Sequence, residues 1–210
     1  YTISVTGGIG VKDIPDLVIG EDIPATVTIA DGNYTGFNST TFAVAIKQID
    51  IPISAVNITH IDNEIITVLS ETDGEYLVYV NNKTYTVNVT GGKGILTLNK
   101  LPADNYTVNV TVLDGNYTGF NSTTFEVSKA NVSMTVYFEN ETNGTASLIA
   151  ILPEDASGNV SIYVNGVFSQ TVDLVNGTAI VIVYNLIIGD NNVSVVYSGD
   201  SNYIPVNKYL

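Results

Sequence analysis

The chain has 210 residues, with 21 Asp and Glu against seven cations, every one a Lys, for a formal net charge of −14. That balance argues against nucleic acid or an anionic membrane as partner. The absence of Cys excludes disulfides and thiolate metal sites and leaves the redox compartment open. Apolar residues make up 45% of the chain, enough for a packed core despite the Asn/Thr/Gly-rich stretches.

The chain opens on "YTISVTGGIG", whose period-two alternation predicts a strand from Tyr1. "DGNYTGFNSTTF" follows at Asp31–Phe42 and returns letter for letter at Asp114–Phe125, 83 positions on. The match extends outward, because "YTVNVTGGKG" from Tyr85 answers the opening ten residues. A degenerate third copy is also present. "YLVYVNNKTYTVNV" from Tyr76 corresponds to "VSIYVNGVFSQTVDL" from Val160, and "VTVLDGNY" from Val110 to "VVYSGDSNY" from Val195. A period of about 85 residues is too long for a helical solenoid unit and suits a small β-sandwich.

The repeat predicts an all-β chain of tandem immunoglobulin-like β-sandwich domains. Residues 1–47 form a partial module holding about the last four strands. Residues 48–129 form a complete module, and residues 130–210 a third. Short linkers are expected around Lys47–Asp50 and Ser128–Ala130. The partial module leaves Tyr1, Ile3, Val5, Val27 and Ile29 without strands to cover them. Residues of a longer parent chain or a neighbouring subunit are expected to complete it.

Within the second module, Tyr106, Val108, Val110 and Val112 share one strand face while Thr107, Asn109 and Thr111 share the other. Asn131–Phe138, Asn159–Val164 and Asn192–Tyr197 alternate in the same way. Asn81-Asn82, Gly91-Gly92, Asn165-Gly166 and Asn176-Gly177 supply turn chemistry between the runs. About seven strands result, the number in an immunoglobulin-like sandwich. "LPADNYTVNV" from Leu101 reads as a tyrosine corner built on Tyr106, with Ile23 and about Asn191 in the other copies. The longest apolar run, "AIVIVYNLII" from Ala179, is half the length of a membrane span, so no membrane insertion is expected in this segment.

The run from "YVNNKTYTV" through "LPADNYTV" and "DGNY" to "TTFEVSKA" resembles the immunoglobulin-like repeats of adhesin-like surface proteins of methanogenic archaea, and more loosely bacterial Ig-like repeats. The resemblance implies an extracellular, cell-surface array of sandwiches, acting as a stalk or adhesin without catalysis. The alternative is a subunit of an extracellular filament assembled by β-strand complementation between subunits. Expected partners are other copies of the chain or a host or partner cell surface, through glycan or protein.

Fifteen of the 23 Asn residues stand in N-x-S/T sequons, several times the number that chance placement gives at this Ser/Thr content. They are Asn33, Asn38, Asn57, Asn82, Asn88, Asn105, Asn109, Asn116, Asn121, Asn131, Asn140, Asn143, Asn159, Asn176 and Asn192, and all are candidate glycosylation sites. A strand whose outer face is built from Asn, Ser and Thr also generates the motif, because both have period two. Asn88, Asn109, Asn131, Asn159 and Asn192 lie on the outward parity.

The "DGNYT" turns at Asp31 and Asp114 resemble the start of a calcium loop, but Phe42 and Phe125 stand where its bidentate Glu belongs. They read instead as turns capped by Asp and Asn. The single His60 reads as structural, and the adjacent Glu154 and Asp155 do not form a glycosidase pair. Lys47 and Lys129 are candidates for crosslinking to Asn, and Tyr34, Tyr117 and Tyr203 for an aromatic platform. No catalytic residue, cofactor or metal site is expected.

Overall fold

A computed structural model describes residues 1–29, 32–142 and 144–210. It contains no helix among those residues, and its strands follow the alternation of the sequence. In chain order they are β1 (Gly20–Thr28), β2 (Phe37–Val44), β3 (Lys47–Gln48), β4 (Ile53–Ser54), β5 (Ile58–Thr59) and β6 (Asn63–Leu69). There follow β7 (Gly74–Val80), β8 (Lys83–Val89), β9 (Lys93–Asn99), β10 (Asp104–Val112), β11 (Tyr117–Thr118) and β12 (Phe120–Ser128). The last are β13 (Thr135–Thr142), β14 (Thr145–Ile151), β15 (Asn159–Val164), β16 (Val167–Asp173), β17 (Thr178–Tyr184), β18 (Val193–Tyr197) and β19 (Val206–Tyr209).

In the second module a three-stranded sheet, β4-β6-β9, faces a five-stranded sheet, β5-β12-β10-β7-β8. The third repeats this plan with β13-β14-β17 against β16-β15-β18-β19. Two separate apolar cores result, one drawn from Ile49 to Val127 and the other from Ala130 to Tyr203. Val108 and Val110 are fully buried and Asn109 between them points outward, as the parity requires. The tyrosine corner is present: the Tyr106 hydroxyl donates to the Pro102 carbonyl at 3.0 Å, and its ring stacks on Phe125.

The two copies of the twelve-mer share one register. Ile23 pairs with Phe42 and Val27 with Asn38 in β1–β2, as Tyr106 pairs with Phe125 and Val110 with Asn121 in β10–β12. Their surroundings differ. Ile51 packs close beside Gly119, where a Cβ would come within 2.7 Å of the Ile49 carbonyl. The matching Gly36 would meet only the tip of Ile29. A glycine at this point of the twelve-mer therefore lets the first strand of its own module cross.

Two expectations need correction. Tyr1–Val5 is not a strand, and the described residues of 1–46 contain only β1 and β2 instead of about four strands. The matching β8 and β9 are held by ladders to β7 and β6, and residues 1–46 contain no counterpart of either partner. The turn alone persists: Gly7 and Gly8 keep the φ angles of Gly91 and Gly92, 60° and 82°. A turn closes on local geometry, whereas a strand needs a neighbour. Lys47–Asp50 is also not a linker. Lys47–Gln48 pairs in parallel with Tyr117–Thr118, and Ile49 and Ile51 are buried in the second core.

Candidate functional site at the module junction

The main cluster of interacting titratable side chains lies where the second module meets the third. β12 ends at Ser128, and two residues later Ala130 is fully buried in the next core. Ala130 forms a parallel bridge with Tyr203; its N–H donates to the Asn202 carbonyl and its carbonyl accepts from Ile204. At the preceding boundary Lys47 donates to the Asn116 carbonyl and Ile49 to that of Thr118. The two joints are equivalent in the repeat, and neither contains a free tether.

Across the second joint, His60 is buried at 4% exposure between groups from both modules. Its Nδ1 lies 2.7 Å from the Leu101 carbonyl oxygen, which can only accept, so Nδ1 carries a proton. Its Nε2 lies 3.2 Å from Asp155 Oδ2. Both ring nitrogens thus face acceptor oxygens, one in each module. The ring also meets Tyr203 edge-on, at a centroid distance of 5.3 Å.

Asp155 is the hub. It accepts from the Tyr203 hydroxyl at 2.7 Å, and Lys100 Nζ stands 3.7 Å from its other oxygen. The Tyr203 bond, with His60 and Lys100 against the cost of burial, holds its carboxyl below the usual 3.8. Burial, and then Asp155, push the Tyr203 hydroxyl up to about 12. Asn202 Oδ1 accepts from the Ala103 amide across the joint at 3.0 Å. Asp200 braces the loop: burial opposes its ionisation, but the amides of Ser157, Asn202 and Tyr203 outweigh it and hold the carboxyl at about 2.

The "DGNYT" turn is of the same kind. Asp114 Oδ1 accepts from the Asn116 amide at 2.7 Å, as Asp200 accepts from Asn202 and Tyr203. The carboxylate oxygens expected of a calcium start cap backbone amides; Asp31 lies outside the described residues. Glu154 and Asp155 are both exposed, but the Asp155 carboxylate reaches His60 and Tyr203 in the joint. Lys47 pairs with Glu71 at 2.7 Å, and Lys129 donates to the Asp200 carbonyl, so neither lysine meets an Asn side chain. Tyr203 is buried, Tyr117 half-buried and Tyr34 exposed, an arrangement that makes no common platform.

Among the sequons, Asn33, Asn38, Asn57, Asn82, Asn88, Asn105, Asn116, Asn131, Asn140, Asn176 and Asn192 are exposed. Asn109, Asn121 and Asn159 are half-buried, and Asn143 lies outside the described residues.

Glu64 went unsuspected in the sequence. It is fully buried on the core face of β6, and its only side-chain hydrogen bond among the described residues is from the Val56 amide to Oε1. Burial raises its pKa above 4.5, and the Val56 bond offsets part of that. A carboxyl raised in the folded state contributes stability below its unfolded pKa and loses it as pH rises through the folded value. As pH rises from about 4 to about 7, the stability of Glu64→Gln relative to the parent should shift in favour of Gln, by roughly 2–8 °C in Tm. A pH-independent difference would show that Glu64 is not ionising in the core.

No family model matches the chain, and no curated protein matches it. Among solved structures, a segment of two fibronectin type III domains from chicken tenascin is 14% identical over 77% of this chain and 97% of its own, at a TM-score of 0.45. The fibronectin(III)-like modules of Clostridium thermocellum CbhA are 13% identical over 76% of this chain and 92% of theirs, at 0.32. Escherichia coli alpha-2-macroglobulin is 10% identical over 90% of this chain and 19% of its own, at 0.34. The class of protein is defined by the chain's own sheet order and cores: tandem Ig-like β-sandwich modules.

Proposed function

We propose that this chain is a stretch of an extracellular, cell-surface stalk of adhesin-like type, which positions a contact region without catalysis. The observation that carries this reading is the tether-free joint, present at both boundaries with the same backbone pairing. Modules joined by a flexible linker reorient freely; modules joined through a shared strand crossing and a buried side-chain cluster transmit direction. With strands of about seven residues at roughly 3.3 Å each, a module with its loops spans on the order of 35 Å. The resemblance to adhesin-like proteins of methanogenic archaea supports a surface location. The net charge of −14 supports a protein or glycan partner over nucleic acid. Antibodies against residues 48–210 should label intact cells that make the protein; labelling only after permeabilisation would refute the reading.

A second reading rests on the open edge of β1. The matching edge of β10 takes β7, with Val108 opposite Val80 and Val110 opposite Val78, while among the described residues β1 pairs only with β2. A strand added there from another subunit would build a filament. Deleting residues 1–47 tests it: loss of assembly with the other modules folded supports the filament, and unchanged monomeric behaviour rejects it.

A further inference from the structure

The sequon excess has two explanations, and their placement in the fold separates them. Outward-facing strand positions produce N-x-S/T by alternation alone. Yet half of the described sequon asparagines lie outside strands, Asn82, Asn116 and Asn131 among them, and every one of those is exposed. Alternation has no purchase in turns. Conformational demand does not account for these three either: the turn asparagines held at positive φ include Asn81, Asn165 and Asn176, but not Asn82, Asn116 or Asn131.

The fold also sorts the motifs by access. In eight of the described motifs the asparagine and the hydroxyl residue two places on are both exposed. Three are Asn33, Asn38 and Asn140; the other five lie in the complete second module or at the joint that follows it: Asn82 with Thr84, Asn88 with Thr90, Asn105 with Thr107, Asn116 with Thr118, and Asn131 with Ser133. Two others are tied into the structure. Asn121 lies on the core parity of β12, and its amide nitrogen donates to the Ile51 carbonyl at 2.8 Å. Asn109 is half-buried and accepts the Ser122 hydroxyl at 2.7 Å, while the Thr111 hydroxyl of its motif donates to the Gly119 carbonyl.

We infer that the chain is N-glycosylated at Asn82, Asn88, Asn105, Asn116 and Asn131, and that Asn109 and Asn121 remain bare because their motifs are built into the fold. The donor is a sugar carried as a lipid-linked diphosphate. The amide nitrogen forms a C–N bond to its anomeric carbon, and the C–O bond to the diphosphate breaks. The lipid diphosphate leaves with that electron pair, and the amide proton passes to a base of the transferase. Two of the sites have a structural consequence. Asn82 closes the turn before β8 and Asn88 lies within that strand, and β8 is an edge of the five-stranded sheet. Glycans there would screen an edge that otherwise invites pairing with another chain.

The test is secretion of the full chain from a host with N-linked glycosylation, isolation of the folded fraction, and glycopeptide mapping. Enzymatic deglycosylation in 18O-water marks each occupied Asn as a labelled Asp. Expected are glycans at Asn82, Asn88, Asn105, Asn116 and Asn131, with Asn109 and Asn121 unmodified. Cooperative melting of the same fraction verifies that the molecules mapped are folded. Five bare sites, or a glycan on Asn121 in folded molecules, would overturn the inference. Either outcome is independent of the stalk reading, which is decided by surface labelling.

Discussion

Val108→Asp and Val110→Asp should each destabilise the second module by several kcal/mol, roughly 3–5, whereas Asn109→Asp should change it by about 0.5 kcal/mol or less. Both valines have no exposed surface. A carboxylate there enters an apolar core without a partner and must either stay charged at high cost or take up a proton. Asn109 sits one position away on the opposite face, and its side-chain oxygen already accepts the Ser122 hydroxyl, which an aspartate does equally well. Calorimetry of the intact chain reads the loss as a lowered transition for the second module alone, since the two cores share no buried residue. Equal losses for Val108→Asp and Asn109→Asp would contradict the register of β10.

The second large effect concerns the joint. Asp155→Ala removes one acceptor shared by His60, Tyr203 and Lys100. It should free the two modules from each other while lowering the transition of either by no more than about 1 kcal/mol, because Asp155 is only partly buried. His60→Ala should cost the second module more, about 1–3 kcal/mol, because it strands the Leu101 carbonyl beside a cavity. Asp155 and Asp200 are held below 3.8, so their contribution is present above the unfolded value and fades as pH falls through the folded one. The joint therefore loosens in acid.

Most of the fold was legible in the sequence because local patterns dictate it. Alternation at Tyr106–Val112 marked an inward and an outward face, and Leu101–Tyr106 marked the corner. Asn81, Asn165 and Asn176 took the positive φ that their turns require. What was not legible depends on partners far along the chain. Tyr1–Val5 has the same alternation as Tyr85–Val89, but only the latter has a β7 to pair with. The joint was invisible for a related reason: His60 and Asp155 lie 95 residues apart, and each looks unremarkable beside its own neighbours. His60 was read as structural, and nothing nearby in sequence shows that it joins two modules. Lys47–Asp50 looked like a linker because its polar residues conceal Ile49, which anchors the next core.

The central claim is that the modules are joined directly and hold one relative orientation. The chain has no Cys, so Thr86→Cys in β8 and Thr171→Cys in β16, both exposed, place one spin label in each module. Pulsed electron spin resonance then measures the distribution of distances between them. A single narrow distribution is expected at about pH 7, where Asp155 is ionised, and a broad one in Asp155→Ala. A parent chain as broad as Asp155→Ala would contradict the account.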